Sequence, residues 1–151
     1  MSTKLLLASL KTQEANLSLL IDALDMQKQA IIKNDYTTLE SAIGEEQKIL
    51  RDVEREETAR IKVVKELANN LNLNLGDANT LENLISQGSK HFGNDLKELH
   101  TIRTSLRDKV KRIKSTNTQL KDVIDFSRNM IKETMMILVG PNKRAIVNKR
   151  V

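Results

Sequence analysis

The chain has 151 residues, the length of one domain, and its 2% aromatic and 30% charged content points to an all-α protein with thin helix-on-helix seams, excluding a thick globular core. The lack of cysteine excludes disulfides and thiolate chemistry and is compatible with a reducing compartment. The net charge of +5 is unevenly spread: residues 1–75 carry 10 Lys/Arg against 12 Asp/Glu, and residues 76–151 carry 15 against 8.

The opening Lys4-Leu5-Leu6-Leu7-Ala8 has the look of a secretion signal, but Lys11 and Glu14 interrupt it before an apolar run of roughly 7 to 15 residues forms. No stretch reaches the roughly 18 apolar residues of a membrane span. The expectation is a soluble cytoplasmic protein. Ser2 or Thr3 caps a first helix, whose four-three stepping gives Leu6, Leu10, Gln13, Leu17, Leu20, Leu24, Gln27 and Ile31. Asn34 suits the residue just past its end and Asp35 the cap of the next helix, so a turn of about two residues joins antiparallel neighbours.

The second helix is predicted over residues 36–73. It begins with Leu39, Ala42, Ile49 and Val53, passes through the charged Glu54-Arg55-Glu56-Glu57, and resumes one residue out of step at Ile61, Val64, Ala68 and Leu71. Its middle is expected to be solvated, and Gly44 marks a bend or a close contact. Between residues 69 and 93 turn formers dominate, and one short helix over residues 80–87, capped by Thr80, sits between two links, the second at Gly88-Ser89 and Gly93.

Asp95, with Glu98 three residues on, starts a last long helix that runs to Val139. Its seam reads Leu96, Leu99, Arg103, Leu106, Val110, Ile113, Asn117, Leu120, Ile124, Ser127, Ile131, Thr134 and Leu138, with Asn117 as a register-fixing polar position. Gly140-Pro141 writes the stop. Antiparallel return of this helix along the second one predicts that acidic residues 52–57 face the basic run Lys109, Lys111, Arg112 and Lys114, and that Tyr36 faces Met130, which leaves residues 131–139 overhanging the bundle end. The domain is expected over residues 1–139, followed by a flexible basic tail, residues 140–151.

The fold class is therefore all-α: an elongated antiparallel bundle, a coiled-coil-like hairpin of three long helices plus one short one. Little in it suits catalysis. His91 and His100 share no helical face and no metal-binding spacing, no nucleotide-binding or nucleophile-elbow motif occurs, and no metal or cofactor is expected. The basic run from Arg103 to Lys114 argues for nucleic-acid binding, but stacking aromatics are nearly absent and the acidic run offers it a partner within the chain. The informative feature is a surplus of apolar groups. Beside the seam runs a second stripe of Val123, Met130 and Ile137, and Phe126, Met135 and Met136 widen it, more than one packed side needs. Methionine-rich surfaces of this kind adapt to partner helices.

The corner Lys33-Asn34-Asp35-Tyr36-Thr37-Thr38-Leu39-Glu40, the Asn117-x-x-Leu120 step, the apolar stretch through Ile131 and Leu138, and the closing Gly140 resemble the FlgN-like flagellar export chaperones. The resemblance covers most of the chain. It implies a cytoplasmic type III secretion chaperone, not an enzyme, that binds C-terminal helical segments of hook-associated proteins and delivers them to the membrane export gate. Carried over by position, the partner-binding residues are Leu120, Val123, Ile124, Met130, Ile131, Met135, Ile137 and Leu138. Members of the family carry a tail tyrosine for gate docking, where this chain has Ile146 and Val147. A monomer or weak homo-oligomer is expected. The same stripe also suits a self-assembling coiled-coil structural protein, and a basic helical nucleic-acid binder is the third reading.

Overall fold

The computed structural model describes residues 2–73 and 81–139. Among them are four helices and no strand: α1 (Ser2–Ile32), α2 (Tyr36–Asn70), α3 (Leu81–Phe92) and α4 (Asp95–Val139). The junction of α1 and α2 follows from two residues. Asn34 takes a left-handed φ of 56°, while the Asp35 amide donates to Ala30 O (2.9 Å) and the Asn34 amide to Ile31 O (3.2 Å). That pattern satisfies the last carbonyls of α1. Asp35 then caps α2 by accepting from the Thr38 amide at 3.1 Å and the Thr38 hydroxyl at 2.6 Å. The same motif recurs at the end of α2, with Asn72 at φ 55° and the Leu73 amide donating to Ala68 O at 2.9 Å.

Helix α1 is the central element, packed along both α2 and α4. The expected row of Leu6, Leu10, Gln13, Leu17, Leu20, Leu24 and Gln27 is buried, and so are Leu7, Ile21, Ala23 and Ala30. This second row is what a helix covered on two sides needs. Its polar members meet α2: Ser9 donates to Glu56 (2.7 Å), Gln27 to Glu46 (2.7 Å), and Gln13 more distantly to Val53 O (3.4 Å).

Two apolar clusters follow along the bundle. In the thicker one Leu6 and Leu10 meet Val64 and Leu67 of α2, Leu84 and Phe92 of α3, and Leu99 and Ile102 of α4. In the thinner one Leu20, Ala23 and Leu24 meet Ile49, flanked by Val53, Ile113 and Leu120. Between Ile49 and Val64 no residue of α2 is buried, so its middle is solvated as the charged run required, and Leu67 replaces the exposed Ile61 in the resumed seam.

Several expectations are corrected. Helix α3 runs on through Gly88 and Ser89 to Phe92. A Cβ on Gly88 would stand 3.0 Å from Leu73 Cδ1 and 3.1 Å from Phe92 Cε2, so this glycine serves close packing inside the helix; Gly93, at φ 53°, makes the break. The expected cap, Thr80, lies outside the described residues. Gly44 marks no close contact, since nothing lies within 4 Å of a Cβ placed there. Asn117 is exposed and Thr116 is buried in its place, because a straight helix of 3.6 residues per turn drifts about 20° per heptad from a strict seven-residue repeat.

The predicted pairing of the acidic and basic runs does not form. Lys11 pairs with Glu98 (2.8 Å), Arg112 reaches Asp25 (3.4 Å) and Lys28 donates to Gln119 (3.0 Å), so α4 runs parallel to α1 in a fixed register and antiparallel to α2. With Ser9 bonded to Glu56, that register sets residues 52–57 level with the first turns of α4. Arg107 pairs with Glu82 of α3, and Arg55 and Arg60 pair within α2 with Asp52 and Glu57. Of the acidic run, Glu56 is thus engaged by α1, and Asp52 and Glu57 by their own helix. Sign complementarity did not fix the register, because exposed pairs are worth only about 0 to 1 kcal/mol each, less than the apolar packing that does fix it.

Candidate partner-binding surface

The register sets where the bundle stops covering α4. With Lys28 opposite Gln119 and α1 ending at Ile32, the tip of the α1–α2 hairpin lies level with residues near Phe126. The helix continues to Val139, about 20 Å farther at 1.5 Å per residue. The overhang therefore starts some five residues earlier than the sequence pairing placed it.

At 100° per residue, Phe126, Ile137, Met130, Val123, Thr134, residue 127, Leu138, Leu120, Ile131, Ile124 and Met135 share one half of the helix circumference. This arc continues the face by which α4 packs on α1. The drift that exchanged Asn117 for Thr116 also brings the Val123, Met130, Ile137 stripe into line with the core-facing side. Met136 is the apolar residue outside the arc among the described side chains, and is 41% exposed.

Where the hairpin tip approaches this face, a groove of about 850 Å³ opens. One wall comprises Ile31, Ile32, Asn34 and Tyr36; the other is α4, with Val123, Phe126, Met130, Ile131 and Met135 among its lining. Of the eight residues carried over by position, the structure thus brings Val123, Met130, Ile131 and Met135 together. Leu120 packs beside the thinner core cluster, and Ile124 is half-buried outside the groove. Ile137 and Leu138 lie beyond it and are 83% and 72% exposed. The tail residues Ile146 and Val147 fall outside the described residues.

The sequence pattern counts Ile31 only as the end of the α1 stripe and Tyr36 only as the start of the second helix. Its antiparallel pairing sets Tyr36 opposite Met130, and both line the groove, but it gives the hairpin no share of the binding surface. A signal was present, since Tyr36 is one of only three aromatic residues and directly follows the capping Asp35. Phe126, which in the sequence only widens the apolar surface, also lines the groove.

The electrostatics of the surface are plain. Asp122 lines the groove, and none of the ion pairs among the described residues involves Lys121, Asp122, Asp125, Arg128, Lys132 or Glu133. Asp35, beside the groove, has its carboxyl held below the usual range by the Thr38 hydroxyl and then the Thr38 amide, so the cap is charged at neutral pH. His91 and His100 are exposed on α3 and α4, far along the chain from the groove. No helix among the described residues is long and apolar enough to cross a membrane. The arrangement can bind an apolar helix face; among the described residues it gathers no metal-ligating cluster.

Comparison with known proteins returns one family. The model of the FlgN protein family matches residues 1–148. No curated protein and no solved structure matches the chain.

Proposed function

The chain belongs to the FlgN family, whose general role is flagellar export chaperoning, and from that premise we propose that it is a cytoplasmic chaperone whose α4 overhang binds C-terminal helical segments of hook-associated proteins and delivers them to the type III export gate. The family is one of chaperones and not of enzymes. The observation that carries the reading is the apolar half-cylinder of α4 that the bundle leaves uncovered, with Met130 49% and Ile131 52% exposed beside the groove. An amphipathic cargo helix laid on it buries both apolar faces. Each large side chain fully covered contributes about 1.5 to 3 kcal/mol before the cost of ordering the cargo. While covered, the cargo segment is kept from associating early. In the same reading the tail bearing Ile146 and Val147 makes the gate contact.

Hydrogen exchange across residues 120–138, measured free and with C-terminal peptides of hook-associated proteins, tests this. Fast exchange that slows sharply with one peptide is the expected result. Strong protection in the free protein that no peptide changes would make the surface an internal core and sink the reading. Met130→Asp and Ile131→Asp are expected to weaken peptide binding by about a hundredfold together while moving the thermal midpoint little, because both positions lie on the exposed part of the helix.

A further inference from the structure

The uncovered face of α4 has two unlike edges. Viewed from the N-terminus of the helix, the apolar arc runs clockwise from Phe126 to Met135. Just outside its anticlockwise end stand Asp122, Asn129 and Glu133; just outside its clockwise end stand Lys121, Arg128 and Lys132. All six are exposed except Lys132, which is half-buried, and none takes part in the ion pairs of the described residues. The face is a neutral apolar strip with an acidic border on one side and a basic border on the other.

We infer that the occupant of this face is a single amphipathic helix with split edges, basic along the edge that meets Asp122 and Glu133 and acidic along the edge that meets Lys121, Arg128 and Lys132. The inference rests on the chaperone reading and specifies the chemistry of its cargo. It also fixes direction. In an antiparallel pair of helices, edges of the same hand meet, so an antiparallel guest carries its basic edge anticlockwise. In a parallel pair, edges of opposite hand meet, so a parallel guest carries its basic edge clockwise, as α4 does. The handedness of the cargo's charges therefore decides which way it lies.

The same geometry disfavours a second copy of the chain. Antiparallel pairing of two overhangs sets acidic edge on acidic edge and basic on basic. Parallel pairing matches the edges, but α1 already occupies this face up to about Val123, and two hairpins would claim the space between the paired helices at one level.

The test uses the full chain and three designed helical peptides with one common leucine stripe, their edges Lys/Glu, Lys/Lys or Glu/Glu. At low salt the split peptide is expected to bind about tenfold tighter than either uniform one, with the advantage shrinking towards unity in 1 M salt. The double variant Asp122→Lys with Glu133→Lys, basic on both edges, is expected to move the preference to the Glu/Glu peptide. Equal binding of all three at low salt overturns the inference and leaves the binding surface standing. Failure of all three to bind overturns the surface as well. A free protein that is dimeric, and that the double variant dissociates, would instead assign the face to a second copy.

Discussion

Asp35 serves the fold through one carboxylate that accepts from both the hydroxyl and the amide of Thr38. Its pKa is lowered in the folded chain, so its contribution to stability is full above the ordinary carboxylate value and is lost as the pH falls through the lowered one. Glu57 behaves alike, with Arg60 as the chief cause. Thermal melts should therefore show a lower midpoint at pH 3 than at pH 7, and Asp35→Ala should lower the pH 7 midpoint while shrinking the acid-induced drop. The two helical glycines divide by their surroundings. Gly44→Ala meets nothing within 4 Å, so it should stabilise the protein by about 0.5 to 1 kcal/mol. Gly88→Ala must push aside Leu73 and Phe92, so it should cost about 1 kcal/mol. Urea unfolding of the pair checks both signs. Neither environment was legible in the sequence, where Gly44 reads as a bend or a close contact and Gly88 as a break, because a glycine's letter does not say whether a neighbour fills the missing Cβ. Asn34 and Asp35 were legible, because caps act on backbone groups within three residues of themselves.

Helix boundaries and apolar rows are local properties, and so α1, α2 and the start of α4 stand close to where periodicity and capping placed them. Which helix covers which row is not local. The surplus row of Leu7, Ile21, Ala23 and Ala30 on α1 was the trace of its central position, but a stripe records that a neighbour exists without naming it. The same gap displaced the start of the overhang, whose position depends on the register between α1 and α4. The overhang is helical as the extension of an anchored helix. Asp125→Pro removes an amide donor and clashes with the carbonyl four residues back at the exit from the bundle, an interruption costing about 3 kcal/mol or more in a helix interior. Circular dichroism should show helix lost beyond the exit and an almost unchanged midpoint for the body, with peptide binding abolished. Survival of binding in that variant would mean that the distal turns act without being attached as helix.

The whole molecule tapers. Four helices share the core around Leu84 and Phe92, three share it around Leu24 and Ile49, and one continues alone. Cooperative protection should follow that order, with the amides around Leu84 exchanging only on global unfolding and those near the hairpin tip opening at lower cost. Leu24, 1% exposed in the thinner cluster, should cost about 2 to 5 kcal/mol when cut to Ala, which calorimetry reads as a fall in the midpoint. A sequence-wide pattern of seams and caps made this class of fold legible, and the surplus of apolar groups near the end of α4 made its uncovered part legible. The antiparallel pairing reached Tyr36 opposite Met130, but it could not carry the rest of the hairpin's wall, because Ile31 and Ile32 join the surface only through the register between α1 and α4.

If α4 binds a guest as proposed, its continuity past the hairpin tip governs how that guest is held. An anchored helix needs no new nucleus and frays from its free end, so Ile137 and Leu138 are in place only when every turn between them and the body is wound. A guest that grips those last residues thereby clamps all the turns behind them, and the contact is worth more than the area it covers. Release can run the same way in reverse, as a zipper opened from the tip: once the last turn unwinds, each earlier contact loses the neighbour that held it in line.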